Sequence, residues 1–284
     1  MGSDGVHDVD RAVVLGPGGR LGAAWTAGLA AGLRRAGVDL GEADLIVGTS
    51  AGAIVGAVLA TGQDPARFSA LPAPRPADRA APPRRPDPAV TGAVFAVLGE
   101  PGLDRAEARR RVGRIALDTV DAAAEDRLVT QRATLIAADT WPRRRLLIPA
   151  VDAGTGEPVV WDAAAGVPLV RAVAASSAFP GIEPPVAVDG RYYLDGALRA
   201  GTNSDLAAGA RTVVVVDPFA HRHPSPAGPA HVLAPEPAAV RLLDADPGDR
   251  ESWDEAYRAG LAQAGAAAEG LRALWRPVTD PCGP

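Results

Sequence analysis

A serine between two glycines is the feature of this sequence best suited to chemistry. The pattern Gly48-x-Ser50-x-Gly52 follows the apolar run Leu45–Val47 and precedes Ala53–Ala60, whose residues are small or apolar. These runs predict a buried strand and a buried helix, which place the serine at a strand–turn–helix junction. Glycine two residues before and after the serine avoids a collision at so sharp a turn. The pattern predicts a nucleophile elbow, and the alternative is an ordinary tight turn with an incidental serine.

A glycine-rich loop follows the first predicted strand. Arg11–Leu15 is apolar, and Gly16-Pro-Gly-Gly-Arg-Leu-Gly22 leads from it into an amphipathic helix predicted over Ala23–Arg35. One interpretation is an oxyanion hole, in which the backbone N–H groups of Gly18 and Gly19 face an oxygen that becomes negative during the reaction. Glycine suits this role because the backbone must approach the substrate closely.

The alternative for this loop is a dinucleotide-binding site. Its spacing, however, is not G-x-G-x-x-G, and the next strand ends in Gly48-Thr-Ser50 rather than in an acidic residue that would hold a ribose. We therefore favour the oxyanion hole.

A nucleophilic serine needs a base, and two arrangements offer one. Asp195, in Tyr193-Leu-Asp-Gly-Ala197, follows a short predicted strand and precedes a glycine, so its carboxylate would face a cleft. The second arrangement is the acid and histidine of an α/β-hydrolase triad. Asp217 after the strand Thr212–Val216 would be the acid, and the histidine would come from His221, His223 and His231.

Composition excludes several classes of site. The chain of 284 residues contains no lysine, which excludes a P-loop lysine, a Schiff base and a Tyr-x-x-x-Lys pair. The single cysteine, Cys282, allows neither an internal disulfide nor a cysteine metal cluster, and the four histidines show no zinc spacing. We therefore expect no metal and no cofactor. The net charge of −5 argues against nucleic acid as a partner.

Hydropathy indicates a cytoplasmic protein. No run of about eighteen apolar residues predicts a transmembrane helix. The segment Met1–Asp10 is polar and acidic, without the basic and apolar regions of a signal peptide. We expect one domain over residues 1–284, with a variable Pro/Arg-rich insertion at about 63–130.

Strand and helix patterns alternate along the chain, which indicates an α/β fold. Further strands are predicted at Arg132–Ala138, Arg145–Val151, Val159–Trp161, Val186–Val188, Tyr192–Leu194 and Thr212–Val216. Further helices are predicted at Asp104–Val120, Pro168–Ser176 and Ser252–Trp275. The proline-rich segments Pro65–Pro88 and His221–Pro237 are predicted to be loops.

These blocks together resemble the patatin-like phospholipases. The glycine block Gly16–Gly22, the serine block Gly48–Gly52 and Asp195-Gly-Ala197 stand in the order found in that family. The segment Ala174-Ala-Ser-Ser-Ala-Phe-Pro-Gly181 is similar to the one that usually precedes the family's aspartate. The resemblance covers about residues 11–62 and 134–217.

The resemblance implies a three-layer α/β/α sandwich with a mainly parallel central sheet, and a Ser–Asp dyad that needs no histidine. Carried over, Ser50 is the nucleophile and Asp195 its base. An ordinary aspartate, with a pKa of about 3.9, is a weak base at neutral pH, so orientation would have to supply much of the effect. The family also implies an oxyanion hole at Gly18, Gly19 and Arg20, and motif glycines at Gly16, Gly22, Gly48, Gly52 and Gly196.

Two residues depart from the family's pattern. Pro17 stands where the family usually has glycine, and it has no N–H to donate. Leu21 stands where a basic residue is common, and Arg20 lies one place earlier. The second departure weakens any role for that basic side chain.

The resemblance implies a serine acyl hydrolase. It would cleave carboxylic esters of a phospholipid, a lysophospholipid or a glyceride during transient contact with a membrane surface. The open alternatives are an esterase or thioesterase with a Ser–His–Asp triad, and a catalytically silent scaffold whose motifs persist as turns.

Overall fold

A mixed sheet lies at the centre of the computed structural model, which describes residues 9–70, 86–222, 230–244 and 250–275. In chain order its strands are β1 (Arg11–Leu15), β2 (Leu45–Gly48), β3 (Arg145–Asp152), β4 (Pro158–Trp161), β5 (Val186–Val188), β6 (Arg191–Asp195), β7 (Thr212–Val216) and β8 (Ala230–Leu233). Their spatial order is β5-β6-β3-β2-β1-β7-β8, and β4 pairs with β3 outside this order.

The middle of the sheet is parallel. Strand β1 pairs in parallel with β2 and β7, β2 pairs with the start of β3, and β7 pairs with β8. Strands β4, β5 and β6 form an antiparallel part beyond β3. Strand β1 is apolar on both faces, with Val13 and Leu15 on one and Ala12 and Val14 on the other, all fully buried. Both faces of the sheet must therefore be covered.

Helices supply this cover. They are α1 (Gly19–Arg35), α2 (Ala51–Ala60), α3 (Pro88–Leu98), α4 (Arg105–Leu117), α5 (Ala122–Ile136), α6 (Leu169–Ser176), α7 (Ala197–Ala200), α8 (Pro237–Asp244) and α9 (Arg250–Leu271). One face packs on the main core with α1, α2, α5, α6 and α9. The opposite face is covered by the short 3-10 helix Ser204–Ala207 and, towards β6, by α3 and α4. This arrangement confirms the predicted α/β fold with a mostly parallel sheet between helical layers.

The strand predicted at Arg132–Ala138 is wrong, because residues 132–136 belong to α5 and Ala137 is its C-terminal cap. The carboxylate of Asp121 accepts the N–H of Ala124 at 3.0 Å and so caps the helix start. The helix ends where Ala137 turns into the left-handed region, with φ 44°. The cap and the alanine-rich first turn extend the helix through Thr134 and Ile136, although their branched side chains favour strands.

Helix α1 begins four residues before the predicted start. The N–H of Gly22 donates to the carbonyl oxygen of Gly18 at 2.9 Å, so the last four residues of the predicted loop form the first helical turn. The loop itself is reduced to three residues, Gly16 to Gly18.

The two proline-rich segments contain regular structure that the sequence did not predict. Pro65–Ser69 is a 3-10 helix capped by the Asp64 carboxylate, and β8 lies within the predicted loop His221–Pro237. Residues 71–85 and 223–229 of these segments lie outside the described part of the chain. The single domain with an insertion at about 63–130 stays a prediction.

Candidate active site

The chain turns sharply between β2 and α2, and Ser50 lies at this turn. Its backbone has φ 56° and ψ −118°, which is uncommon for a residue with a side chain. A Cβ on Gly48 would lie 2.7 Å from the carbonyl oxygen of Gly52, within the turn. A Cβ on Gly52 would lie 2.0 Å from the carbonyl oxygen of Leu15. The first glycine thus permits the turn, whereas the second permits close packing of α2 against β1.

The Ser50 hydroxyl donates a hydrogen bond of 2.7 Å to Asp195 Oδ2, across 145 residues of sequence. Strand β3 brings the two residues together. Its residues Arg145–Leu147 pair with Leu45–Val47 of β2, and Ala150, three residues further along, pairs with Asp195 at the end of β6. Ser50 is 8% exposed and Asp195 only 1%. The contact is therefore almost fully screened from water.

Burial changes the chemistry of the Asp195 carboxylate. Loss of hydration raises the pKa of Asp195 to about 7, although three contacts oppose this. They are hydrogen bonds from the Ala197 N–H and the Ser50 hydroxyl, and the positive charge of Arg132. The Ala197 N–H lies 2.8 Å from Oδ1, which leaves Oδ2 for the serine. A carboxylate with a pKa near neutrality is a far better base than an ordinary aspartate.

A turn at the C-terminal end of α6, residues 176–178, holds the backbone of Ser50 and of Asp195. Ser176 Oγ accepts the Ser50 N–H at 3.2 Å, and the Ser176 carbonyl oxygen accepts the Gly196 N–H at 3.2 Å. The carbonyl oxygen of Ala178 accepts the Asp195 N–H at 3.1 Å. One short turn therefore binds the chain at the serine and at the aspartate.

Arg132 of α5 binds this turn. Its Nε donates to Ser177 Oγ at 2.8 Å, and its Nη2 lies 3.1 Å from Glu183 Oε1. The Arg132 side chain is 12% exposed, so its charge is poorly screened. The arginine thus orders the turn and also favours the ionised form of Asp195.

The glycine loop lies at the neighbouring strand end. The N–H of Thr49 donates to the carbonyl oxygen of Leu15 at 3.0 Å, which joins the elbow to the end of β1. Gly18 packs so closely on Pro218 that a Cβ would lie 2.8 Å from that ring. Helix α1 begins at Gly19, with φ 60°, and the first amides of a helix have no acceptor within it. Arg20 belongs to the same first turn.

The two histidines in the described part of the chain do not hydrogen-bond to Ser50. His221 Nε2 lies 3.0 Å from Asp244 Oδ1, and His231 is exposed on β8. Asp217 is buried after β7, where its Oδ1 accepts the Phe219 N–H at 2.9 Å. The third candidate, His223, lies outside the described residues. The geometry therefore favours the aspartate over these histidines as the partner of Ser50.

Neither a metal cluster nor a membrane-spanning helix occurs in the described residues. Those residues contain no group of three or more histidine, cysteine or acidic side chains that could hold a metal ion. None of their helices is both long and apolar enough to cross a membrane.

Comparison with known proteins assigns the chain to a family. The family model described as patatin-like phospholipase matches residues 13–208, more than half of the chain. The chain belongs to the patatin-like phospholipase family. The match extends from within β1 to just beyond the 3-10 helix after Asp195, so it includes Ser50, Asp195 and the strands β2, β3 and β6 that position them. Membership of the patatin-like family supports lipid acyl hydrolase activity.

Two solved structures are similar to this patatin-like chain, both at low identity. VipD from Legionella pneumophila is 11% identical with a TM-score of 0.48, and the match covers 93% of this chain and 67% of VipD. The type III effector protein ExoU is 16% identical with a TM-score of 0.38, and the match covers 93% of this chain and 53% of ExoU. No curated protein matches the sequence.

Three side chains beside the pair were not predicted as parts of the site: Arg132, Ser176 and Asn203. Ser176 lies in the segment that resembles the patatin-like family, so the resemblance indicated this segment but not the role of Ser176. Arg132 has no local motif and lay in a wrongly predicted strand. The signal for Asn203 was its place eight residues after Asp195, in a segment rich in turn formers.

Proposed function

We propose that this chain hydrolyses carboxylic esters of lipids, with Ser50 as the nucleophile and Asp195 as its general base. The observation that carries the proposal is the 2.7 Å hydrogen bond from the serine hydroxyl to a buried carboxylate, at a strained strand–helix turn. The family supplies the substrate class, which comprises phospholipids, lysophospholipids and glycerides.

In the first step, Ser50 Oγ attacks the carbonyl carbon of the ester while its proton passes to Asp195 Oδ2. The carbonyl oxygen becomes negative and receives hydrogen bonds from the N–H groups of Gly18, Gly19 and Arg20. One donor of this kind typically lowers the barrier by about 3 kcal/mol. The carbon–oxygen bond to the alcohol then breaks, and Asp195 returns the proton to the departing oxygen.

In the second step, water attacks the acyl group on Ser50 while Asp195 takes one of its protons. The acyl–oxygen bond breaks, the fatty acid leaves and Ser50 recovers its proton. Asp195 must accept a proton and return it in both steps. A pKa of about 7 suits such an exchange near neutral pH, because neither form is strongly disfavoured.

The apolar helix α3 supports transient contact with a membrane surface. Pro88–Leu98 has no charged side chain, and Val94 is its buried residue, whereas Phe95 is 57% and Leu98 40% exposed. The ring of Phe95 lies 5.6 Å from that of Phe179, which directly follows the turn that holds the aspartate. An exposed apolar helix of this kind would place the site at the surface of a lipid aggregate.

Phospholipid turnover and covalent labelling test the proposal together. Wild-type protein should hydrolyse phospholipid in mixed micelles and react with a fluorophosphonate probe. Ser50→Ala should stay folded, lose labelling and lose at least about a thousandfold in turnover. Labelling without turnover of any lipid ester would reject lipid as the substrate, and unchanged turnover by Ser50→Ala would reject the nucleophile.

A further inference from the structure

Asn203 has a fully buried side-chain amide. It lies between the turn that contains Ser50 and the turn that follows Asp195. Its Nδ2 lies within hydrogen-bond distance of three oxygens. They are Oγ1 of Thr49 at 3.0 Å, the carbonyl oxygen of Gly196 at 3.0 Å and that of Gly201 at 3.2 Å. The NH₂ group of Asn203 thus directs its two N–H bonds at acceptors that lie on separate segments of the chain.

Two of these acceptors belong to the immediate neighbours of the proposed catalytic pair. Thr49 directly precedes Ser50, and Gly196 directly follows Asp195. A single side chain therefore spans from one turn to the other. Neither bond involves the reacting atoms, so the amide acts on the position of the pair rather than on the substrate.

The orientation of the amide is fixed by its other end. Asn203 Oδ1 accepts a hydrogen bond of 2.8 Å from Nη1 of Arg199. Arg199 also forms an ion pair of 2.7 Å with Asp205. Since arginine has only donors, it faces the amide oxygen, and the NH₂ group must then face Thr49 and Gly196.

The backbone at this position restricts the residue further. Asn203 has φ 60°, in the left-handed region that asparagine, aspartate and glycine adopt more readily than other residues. Among these three, only asparagine combines an acceptor for the arginine with donors for the two turns. The residue type thus follows from the backbone and the contacts together.

We infer that Asn203 is a positioning residue that sets the separation of Ser50 and Asp195 by tying Thr49 to Gly196. The inference rests on the proposed function. Without the tie, the two turns move apart and the serine loses its alignment with the base. A misplacement of about 1 Å in such a site costs roughly a hundredfold in rate. Substrate binding, which does not involve the amide, should change little.

The test compares kcat and KM of Asn203→Asp with those of the wild type on a soluble nitrophenyl ester. Aspartate keeps the size of the side chain, its left-handed preference and an acceptor for the arginine, but it lacks the NH₂ donors. The expected result is a kcat lower by roughly 10- to 100-fold with KM within about twofold. The neighbouring Ser204→Ala, prepared in parallel, should match the wild type in both constants.

Thr49→Val provides a second variant if Asn203→Asp does not fold. It removes one acceptor of the tie, so it should lower kcat without raising KM, and Thr49→Ser should restore the rate. Unchanged kcat in the folded variants, or a loss seen only in KM, would overturn the positioning role. Ser50→Ala separates this failure from failure of the proposed function. If Ser50→Ala is inactive while Asn203→Asp is normal, only the inference about Asn203 is wrong.

Discussion

Oδ2 of Asp195 accepts the Ser50 hydroxyl at 2.7 Å, and only 1% of the Asp195 residue is exposed. The same burial that excludes water from this hydrogen bond raises the pKa of the carboxylate to about 7. The exclusion of water from the hydrogen bond and the basicity of the carboxylate therefore have one structural cause. A solvent-exposed aspartate at the same distance would have the geometry of a base without its proton affinity.

The pH dependence of activity should report this carboxylate. The base must be ionised in the free enzyme, so kcat/KM should rise with pH and reach half its maximum near pH 7. The measurement is kcat/KM between pH 4 and 9 on a neutral, soluble ester. A profile that is already flat above pH 5 would show that the essential base is not a buried carboxylate.

Stability should depend on pH in the opposite sense to activity. Because the pKa of Asp195 is raised, the folded state binds this proton more tightly than the unfolded state, whose pKa is near 3.8. The contribution of this proton to the free energy of unfolding is complete below about pH 4 and is lost as pH rises through 7.

Asp195→Asn removes the free-energy cost of ionising a buried carboxylate, since the amide does not ionise. Its melting temperature should match the wild type at about pH 3.5 and exceed it at pH 8, by roughly 2–4 °C for each kcal/mol recovered. Thermal unfolding at both pH values is the measurement. Equal melting temperatures at pH 8 would mean that the carboxylate is ionised there without cost.

Gly52→Ala should disrupt the packing of α2 against β1. The added Cβ would lie 2.0 Å from the carbonyl oxygen of Leu15, so α2 and β1 would have to separate. We expect a loss of more than about 4 kcal/mol in the free energy of unfolding, measured in urea. Gly265→Ala in α9 is the matched control, because its Cβ would meet nothing within 4 Å, and the change should stabilise the helix. Similar stability of the two variants would contradict the close packing.

Phe95→Ser should separate lipid-surface activity from ester hydrolysis. The Phe95 side chain is largely exposed on α3, so turnover of a soluble ester should stay within about twofold. Turnover of phospholipid vesicles should fall by about tenfold, because a large apolar contact with the lipid is lost. Val160→Ser, at an exposed apolar residue of β4, should leave both activities unchanged. Equal losses on both substrates would mean that Phe95 supports the structure of the site rather than contact with the lipid surface.

Local patterns predicted those parts of the site that depend on few neighbouring residues. The serine turn could be predicted because Gly48, Ser50 and Gly52 stand between an apolar strand and an apolar helix. The contact with Asp195 could not be derived from spacing, since it depends on pairing through β3. The short strand and the following glycine made Asp195 one of two candidate bases, and the family resemblance decided between them.

Tertiary contacts explain what the sequence did not predict. Asn203 and Ser176 form hydrogen bonds to segments about 150 and 125 residues away, which no local pattern records. The strand predicted at Arg132–Ala138 failed because helix capping outweighed the strand preference of two branched side chains. Strand β8 was missed because its four residues lie among prolines that indicated a loop.

The most direct test of the Ser50–Asp195 pair is turnover of a short-chain nitrophenyl ester by Asp195→Asn, with folding checked by circular dichroism. Ser50→Ala and a variant with His221, His223 and His231 all changed to alanine are measured beside it. The account predicts that the first two variants stay folded and lose at least about a thousandfold, while the histidine variant retains wild-type turnover. Wild-type turnover by Asp195→Asn, or its loss in the histidine variant, would contradict Asp195 as the base.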